Sequence, residues 1–198
     1  MSQQIEFYYD IASPFSYLAW HRLNQLVSEY DAQLTLMPVA LADVFTETGN
    51  RSPAQVQAKA KYLRRDIDRY ANRYRVNFTL NPHFPINTNL IMRVALVAKE
   101  NEALEQCTSA LFDAMWSDGK NLADESVIKQ VLEANDLPSK WVDKAKDDSY
   151  GTQLNAATKA AVDRGIFGAP TMFANGEMLF GQDRIWVIDE LLGARSPF

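Results

Sequence analysis

The sequence predicts an α/β fold in which the two ends of the chain build one sheet and a large all-helical segment lies between them. Two observations support this prediction. Strand-like runs occur near the start, at 5–10 and 33–39, and near the end, at 171–174 and 177–180. Between them, apolar residues recur at helical spacing with short connections over roughly a hundred residues, which is typical of a helical subdomain.

The first elements form a strand, a helix and a second strand. Residues 5–10 are apolar and aromatic, a composition typical of a buried strand. Ser13 then precedes Pro14, the pair expected at the N-cap and first position of a helix. We expect this helix to reach about Tyr30, and the second strand follows it. Such a short β-α-β segment predicts a right-handed parallel unit.

The hydrophobic period becomes helical near residue 43 and stays so. Ser52-Pro53 predicts another helix start, three further helical patterns follow the loop 81–85, and residues 152–164 predict one more helix. We therefore divide the chain into three parts. They are the first part of the α/β domain at 1–45, a helical insertion at 46–150 and the second part of the α/β domain at 151–198.

The end of the chain predicts a hairpin and a closing helix. Asn175-Gly176 separates two short strand patterns, which is a strong signal for a two-residue turn. Gln182-Asp183 then opens a helix that we expect to run through Leu192. Without the insertion, the order of elements is β-α-β followed by α-β-β-α. That order is typical of a thioredoxin-like domain.

Composition narrows the classes of function. The chain has 198 residues, a net charge of −5 and a pI of about 5.1, which disfavours nucleic acid as a partner. No signal sequence and no apolar stretch long enough to cross a bilayer are visible, so we expect a cytoplasmic protein without a membrane partner. His21 and His83 lack metal-ligand spacing, so no metal site is expected. Cys107 is the single cysteine, which excludes Cys-x-x-Cys chemistry.

Thioredoxin-like redox proteins carry a Cys-x-x-Cys at the start of the first helix and a cis-proline that faces it. Here Ser13 and Ser16 occupy the positions of the two cysteines, and Ala169-Pro170 occupies the position of the proline loop. The scaffold that presents a reactive sulfur is therefore present without the sulfur. The most economical interpretation is that the sulfur arrives on a ligand, and reduced glutathione is the obvious candidate.

Ser13 has two interpretations. A helix N-cap lies among unpaired backbone N–H groups at the positive end of the helix dipole, which stabilises an anion. The hydroxyl could therefore donate a hydrogen bond to a bound thiolate, or it could only cap the helix. A hydrolase nucleophile is disfavoured, because the chain has no Gly-x-Ser-x-Gly motif and neither histidine has an evident reason to lie beside Ser13.

The other candidate residues are equally open at this point. The backbone of Ala169 could pair with a peptide-like ligand, or Pro170 could be an ordinary trans proline that enters an edge strand. Asp183 could bind an α-amino group or pair with Arg184. Lys59 lies in the basic segment 59–75, where it could attract ligand carboxylates or form part of a solvated face.

Five segments resemble the 2-hydroxychromene-2-carboxylate isomerases and the kappa-class glutathione transferases, in the same order over nearly the whole chain. They are 7–19, Gly49-Asn50 with the proline that follows, 83–88, 165–170 and 179–184. The resemblance implies a thioredoxin-like domain with a DsbA-like helical insertion, usually a homodimer, that binds reduced glutathione.

The resemblance also implies roles for individual residues. Ser13 would hydrogen-bond the glutathione sulfur and favour its thiolate, and Ala169, before a cis-proline, would pair with the cysteinyl unit through its backbone. Asn50 and Lys59 would line the site, and Gln182 and Asp183 would hold the γ-glutamyl end. The implied site residues are Ser13 as the catalytic residue and Ser13, Asn50, Lys59, Ala169, Pro170, Gln182 and Asp183 as the binding residues.

The activity implied by the resemblance belongs to the degradation of naphthalene-type aromatic compounds. The isomerase converts 2-hydroxychromene-2-carboxylate, a small aromatic carboxylate, to trans-o-hydroxybenzylidenepyruvate. Addition of the glutathione thiolate makes a double bond single, rotation follows, and elimination of the thiolate leaves the trans alkene. Two alternatives stay open. One is a kappa-like glutathione transferase or peroxidase, and the other is a non-catalytic DsbA-like binding protein.

Overall fold

One four-stranded sheet combines the two ends of the chain in the computed structural model, which describes residues 4–193. The strand order is β2-β1-β3-β4, with β1 parallel to β2 and antiparallel to β3, and β3 antiparallel to β4. This arrangement confirms the predicted thioredoxin-like fold with a helical insertion. The strands are β1 (Gln4–Tyr9), β2 (Gln33–Pro38), β3 (Thr171–Ala174) and β4 (Glu177–Phe180).

Helix α1 (Pro14–Tyr30) begins and ends where the sequence predicted. The extended backbone of Ser13 places its Oγ 3.1 Å from the backbone N–H of Ser16, which donates to it. Asp31 ends the helix in a left-handed conformation, with φ of 50°, and returns the chain to β2. The N-cap serine and the following proline therefore encode the start of this helix, as the sequence indicated.

Seven helices lie between β2 and β3 in the described residues, and no helix there has the length and hydrophobicity to span a bilayer. They are α2 (Leu41–Thr48), α3 (Gln57–Tyr74), α4 (Asn89–Glu100), α5 (Leu104–Trp116), α6 (Glu125–Ala134), α7 (Lys140–Lys144) and α8 (Asp148–Asp163). The sequence patterns did not predict the short α7. The division of the chain into parts at residues 46 and 150 stays a prediction.

The start of α3 differs from the prediction. Ser52 does act as a cap, but it caps only a single 3₁₀ turn, Pro53–Gln55. Val56 is extended and half exposed, so neither its backbone conformation nor its packing continues the helix. The helix therefore begins at Gln57, which places Lys59 in its first turn.

The structure of the closing segment confirms the predicted hairpin, but the last helix begins later than predicted. Asn175 and Gly176 both have positive φ, which a two-residue hairpin turn requires. After β4, Gly181 donates its N–H to the carbonyl of Pro170 at 3.0 Å and holds the chain beside β3. Residues 182–184 then form a 3₁₀ turn, and α9 (Ile185–Gly193) begins three residues later than predicted.

The core has a large part and a small part because strand residues alternate between the two faces of the sheet. Phe7 and Tyr9 point to one face, where their stacked rings lie 5.2 Å apart and pack with α1, α4 and α5. Tyr8 points to the other face and packs with Val44 of α2 and Ala161 of α8. The helices between β2 and β3 therefore share a core with the sheet.

We predict that Cys107 on α5 is inert in the native protein. Its side chain is fully buried, and burial raises the pKa of the thiol to about 12. Only the thiolate reacts, so a small fraction, about one molecule in 10⁴, is reactive at pH 8. An aromatic disulfide reagent should label no thiol in the native protein and one thiol per chain in denaturant. Rapid labelling of the native protein would contradict this burial.

Candidate active site

The Ser13 hydroxyl joins the first helix to the loop before β3. Ser13 is 4% exposed, and its Oγ accepts from Ser16 N and donates to the carbonyl of Ala169, each at 3.1 Å. The backbone N–H of Ser13 donates to the carbonyl of Asp10 at 3.0 Å. Ser13 is therefore both a helix cap and a contact of the proline loop, and the cap uses a lone pair of its oxygen rather than its proton.

The loop before β3 holds Ala169 opposite Ser13. The Ala169–Pro170 peptide bond is cis, as the resemblance implied. Thr171 Oγ1 donates to the carbonyl of Gly168 at 2.7 Å, and Pro170 is buried and accepts from the end of β4. These bonds fix the backbone on both sides of Ala169.

Asn50 reaches the same loop from the other side. Gly49 ends α2 in a left-handed conformation with φ of 70°, which turns the chain toward the loop. Asn50 Nδ2 then donates to the carbonyl of Phe167 at 2.7 Å, while its Oδ1 accepts from Arg51 N at 2.8 Å. Phe167 lies two residues before Ala169, whose carbonyl accepts from Ser13. Asn50 and Ser13 therefore bind the same short backbone segment.

Gln182 and Asp183 lie where β4 leads into the last helix. Gln182 is buried, and its carbonyl accepts from the Tyr74 hydroxyl at 3.0 Å. Asp183 accepts a hydrogen bond at 2.6 Å from the Arg184 guanidinium. Of the two interpretations of this acid, the structure therefore contains the pair with Arg184. Lys59 is exposed in the first turn of α3, and no bond within the described residues joins it to Ser13.

The environment of Ser13 favours a bound anion. No acidic residue lies in the first turn of this 17-residue helix, so no side chain of α1 itself opposes the positive end of its dipole. Ser16 is fully buried, and its Oγ has no hydrogen-bond partner among residues 4–193. The second serine of the pair therefore lies beneath the site, and Ser13 is the hydroxyl available to a ligand.

Sequence reasoning missed Asp10, which supports the site from below. Asp10 is 2% exposed, and its Oδ1 accepts from Ala12 N at 2.8 Å and from Thr88 Oγ1 at 2.7 Å. Its Oδ2 accepts from Leu41 N at 2.8 Å. Burial raises the pKa of Asp10, and these three hydrogen bonds oppose that effect. The available sequence signal was a single acid at the end of an apolar strand.

The residues that bond Asp10 lie at the starts of α1, α2 and α4, so one carboxylate holds three helix ends together. The loop between Asp10 and Ser13 is held in two further places. Ile11 N donates to Met92 Sδ at 3.4 Å, and Trp116 Nε1 donates to the carbonyl of Ile11 at 2.8 Å. The position of Ser13 is therefore fixed before any ligand binds.

Comparison with known proteins gives the family of this chain. Residues 4–193 match the model of the DsbA-like thioredoxin domain. The chain belongs to this family. It is 32% identical to 2-hydroxychromene-2-carboxylate isomerase of Pseudomonas sp. (strain C18). The 195 aligned residues cover 96% of this chain and 90% of the relative. The chain therefore also belongs to the 2-hydroxychromene-2-carboxylate isomerase family.

Two further relatives agree with this membership. The chain is 29% identical to glutathione S-transferase kappa 1 of Caenorhabditis elegans, over 98% of this chain and 92% of the relative. A solved structure of 2-hydroxychromene-2-carboxylate isomerase superimposes with a TM-score of 0.88 at 27% identity and covers 96% of this chain and 95% of that one. The resemblance inferred from the sequence is confirmed, as is the prediction of an enzyme of the isomerase family.

We predict that Asp10→Asn destabilises the protein by about 1–3 kcal/mol, because an amide leaves one buried backbone N–H without an acceptor. Thr88→Val should cost about 1 kcal/mol for its lost donor, whereas Thr88→Ser keeps the hydroxyl and most of the stability. Urea unfolding followed by tryptophan fluorescence measures both effects. Asp124→Asn is the control, since Asp124 caps α6 on the surface and asparagine caps equally well. Wild-type stability of Asp10→Asn would show that the three bonds do not hold the helix starts.

Proposed function

We propose that the protein catalyses the glutathione-dependent isomerisation of 2-hydroxychromene-2-carboxylate, or of a related intermediate, to trans-o-hydroxybenzylidenepyruvate. The observation that carries the proposal is the Ser13 hydroxyl, at the start of a long helix and bonded to the carbonyl of Ala169 beside cis-Pro170. The identity of 32% to a named isomerase over nearly the whole chain supports this choice of reaction.

The proposed binding residues suit the chemistry of reduced glutathione, which has a thiol, two peptide bonds, an ammonium group and two carboxylates. Ser13 offers a hydroxyl to the sulfur, and Ala169 offers backbone groups to the peptide. The carboxylate of Asp183 suits the ammonium group, and the exposed cation of Lys59 suits a carboxylate. Asn50 and Gln182 complete the proposed binding residues.

The Ser13 hydroxyl has one proton to donate, and it donates this proton to the carbonyl of Ala169, with 3.1 Å between the two oxygen atoms. To donate to a sulfur, the hydroxyl rotates away from that carbonyl, which becomes free to accept an N–H of a peptide-like ligand. The hydrogen bond between Ser13 and Ala169 is thus exchanged for two bonds to the ligand. This exchange leaves neither group unpaired, so it avoids the cost of a buried polar group without a partner.

When bound, reduced glutathione supplies a thiolate whose reversible addition makes the isomerising double bond of the substrate single. The protein lowers the energy of that thiolate with the Ser13 hydroxyl and the positive end of α1. The hydrogen bonds within the loop between Asp10 and Ser13 fix the backbone of Ser13 in advance, so donation to the thiolate requires only rotation of the hydroxyl. The exposed Lys59 attracts the carboxylate of the substrate.

A kappa-like glutathione transferase is the second candidate, because a relative with that name is 29% identical over 98% of this chain. The two functions share the proposed binding residues and differ in the fate of glutathione, which the isomerase regenerates and the transferase consumes. As the working form we propose a cytoplasmic homodimer that takes part in aromatic compound catabolism. Sedimentation of the purified chain tests the dimer.

We predict that the purified protein accelerates the isomerisation only when reduced glutathione is present and that glutathione is not consumed. Ser13→Ala should lower kcat by about 10²-fold or more, the usual effect of removing one donor to a developing anion. The readout is absorbance of the chromene and its isomer, together with titration of the remaining thiol. Asp124→Ala, which removes the cap of α6, is the control for the loss of a helix cap.

Full activity in Ser13→Ala would show that Ser13 is only a cap. No acceleration in the wild-type protein would contradict the isomerase and favour a transferase with another substrate or a binding protein. Consumption of glutathione would favour the transferase.

We predict opposite effects for two neighbouring residues on the affinity for glutathione. Asp183→Asn should weaken binding about fivefold or more, because it removes the partner of the ligand ammonium group. Arg184→Gln should preserve or strengthen binding, since it releases the Asp183 carboxylate from its present bond. Isothermal titration measures both affinities. Equal affinities for the wild-type protein and Asp183→Asn would remove Asp183 from the site.

A further inference from the structure

A polar cavity lies between the start of α4 and the junction of α7 with α8. Its volume is about 350 Å³, within the range of small-molecule sites. It includes Asn87 from segment 83–88, a motif to which the proposed reaction gives no role. Its polar lining consists of amides and cations, without a carboxylate. The lining residues are Asn87, Asn89, Leu90, Arg93 and Lys146.

Arg93 is the charged residue on which a site in this cavity depends. Its Nε is buried and has no hydrogen-bond partner among residues 4–193. A buried donor on a charged group is costly when it has no acceptor. Because the Nε itself is inaccessible, a ligand in the cavity would meet the outer nitrogens of the guanidinium, and an anionic acceptor there matches the charge best.

The packing of α8 fixes the position of the guanidinium. Residue 151 is a glycine, and a Cβ atom there would lie 2.9 Å from Arg93 Nη2 and 3.0 Å from Arg93 Cζ. The Arg93 side chain thus occupies the space that any larger residue at this point of the helix would need. Arg93 is held between α4 and α8 beside the cavity.

The surroundings leave the charge of Arg93 without compensation in the cavity. Lys146 is already paired with Glu125 and with Asp143, the latter at 3.3 Å. Helix α4 has no acidic residue in its first turn and no side-chain hydrogen bond from its N-cap Thr88. Asn87 Oδ1 accepts from Asn89 N at 2.9 Å, so Asn87 offers the cavity its Nδ2 donor.

We propose that this cavity binds an oxyanion, the carboxylate or phosphate group of a small molecule, through the Arg93 guanidinium with Asn87 and Asn89. A planar guanidinium binds either group through two parallel hydrogen bonds. The positive lining disfavours a metal cation, and the volume limits the ligand to a small molecule. No residue that lines this cavity is among the residues proposed to bind glutathione.

Titration of the full chain with inorganic phosphate and with benzoate tests the proposal, with chloride at the same ionic strength as the reference. We expect one of the two anions to bind and to raise the melting temperature beyond the effect of chloride. Arg93→Gln should weaken that binding about tenfold or more. Arg65→Gln, a change at an exposed arginine of α3, should leave it unchanged.

Gly151→Ala is the second variant, and it removes no hydrogen-bond donor from the cavity. The new methyl group displaces the guanidinium, so binding should weaken while the alanine favours the helix. This variant decides the question if Arg93→Gln fails to fold. A response to phosphate alone identifies a phosphate site, and a response to benzoate alone identifies a carboxylate site. Equal effects of all three anions, or an equal loss in Arg65→Gln, overturn the proposal.

Discussion

The carboxylate of Asp10 is the contact on which the arrangement of this protein depends. Among residues 4–193 it has no cationic partner, and it is stabilised by donors from the starts of three helices, the farthest of which, Thr88, lies 78 residues along the chain from Asp10. Helix starts carry unpaired N–H groups and partial positive charge, so one acid can satisfy several of them at once. The end of the central strand, the helical segment and the first helix are thereby fixed relative to one another. The loop that carries Ser13 takes its position from this contact.

Above that contact, the proposed site consists of groups that satisfy each other. The hydroxyl of Ser13 and the carbonyl of Ala169 form a hydrogen bond, Asp183 pairs with Arg184, and Asn50 binds the carbonyl of Phe167. These groups therefore have hydrogen-bond partners when no ligand is present, which avoids the free-energy cost of an unpaired polar group. A ligand with matching donors and acceptors can replace these bonds one by one. Such a site needs few charged residues and no cysteine of its own.

The sequence predicted what local chemistry determines. The Ser13-Pro14 cap, the Asn175-Gly176 turn and the buried strand β1 depend on neighbouring residues and can be read from one segment. The short α7 and the late start of α3 depend on packing and were not predicted. Asp10 and Arg93 could not be assigned for the same reason. Asp10 is bonded to Thr88 and Arg93 packs against Gly151, and only folding brings the members of each pair together.

The strand order has a consequence for synthesis of the protein. The central strand β1 is synthesised well before its antiparallel partner β3, in which Thr171 pairs with Tyr8. One edge of β1 therefore stays unpaired until β3 has emerged from the ribosome, and contacts of such sequence separation form slowly. The hydrogen bond between Ser13 and Ala169 spans 156 residues and belongs to the same late step. A nascent chain can build the intervening helices earlier, but it completes the sheet and the Ser13 site only after β3 and β4 have emerged.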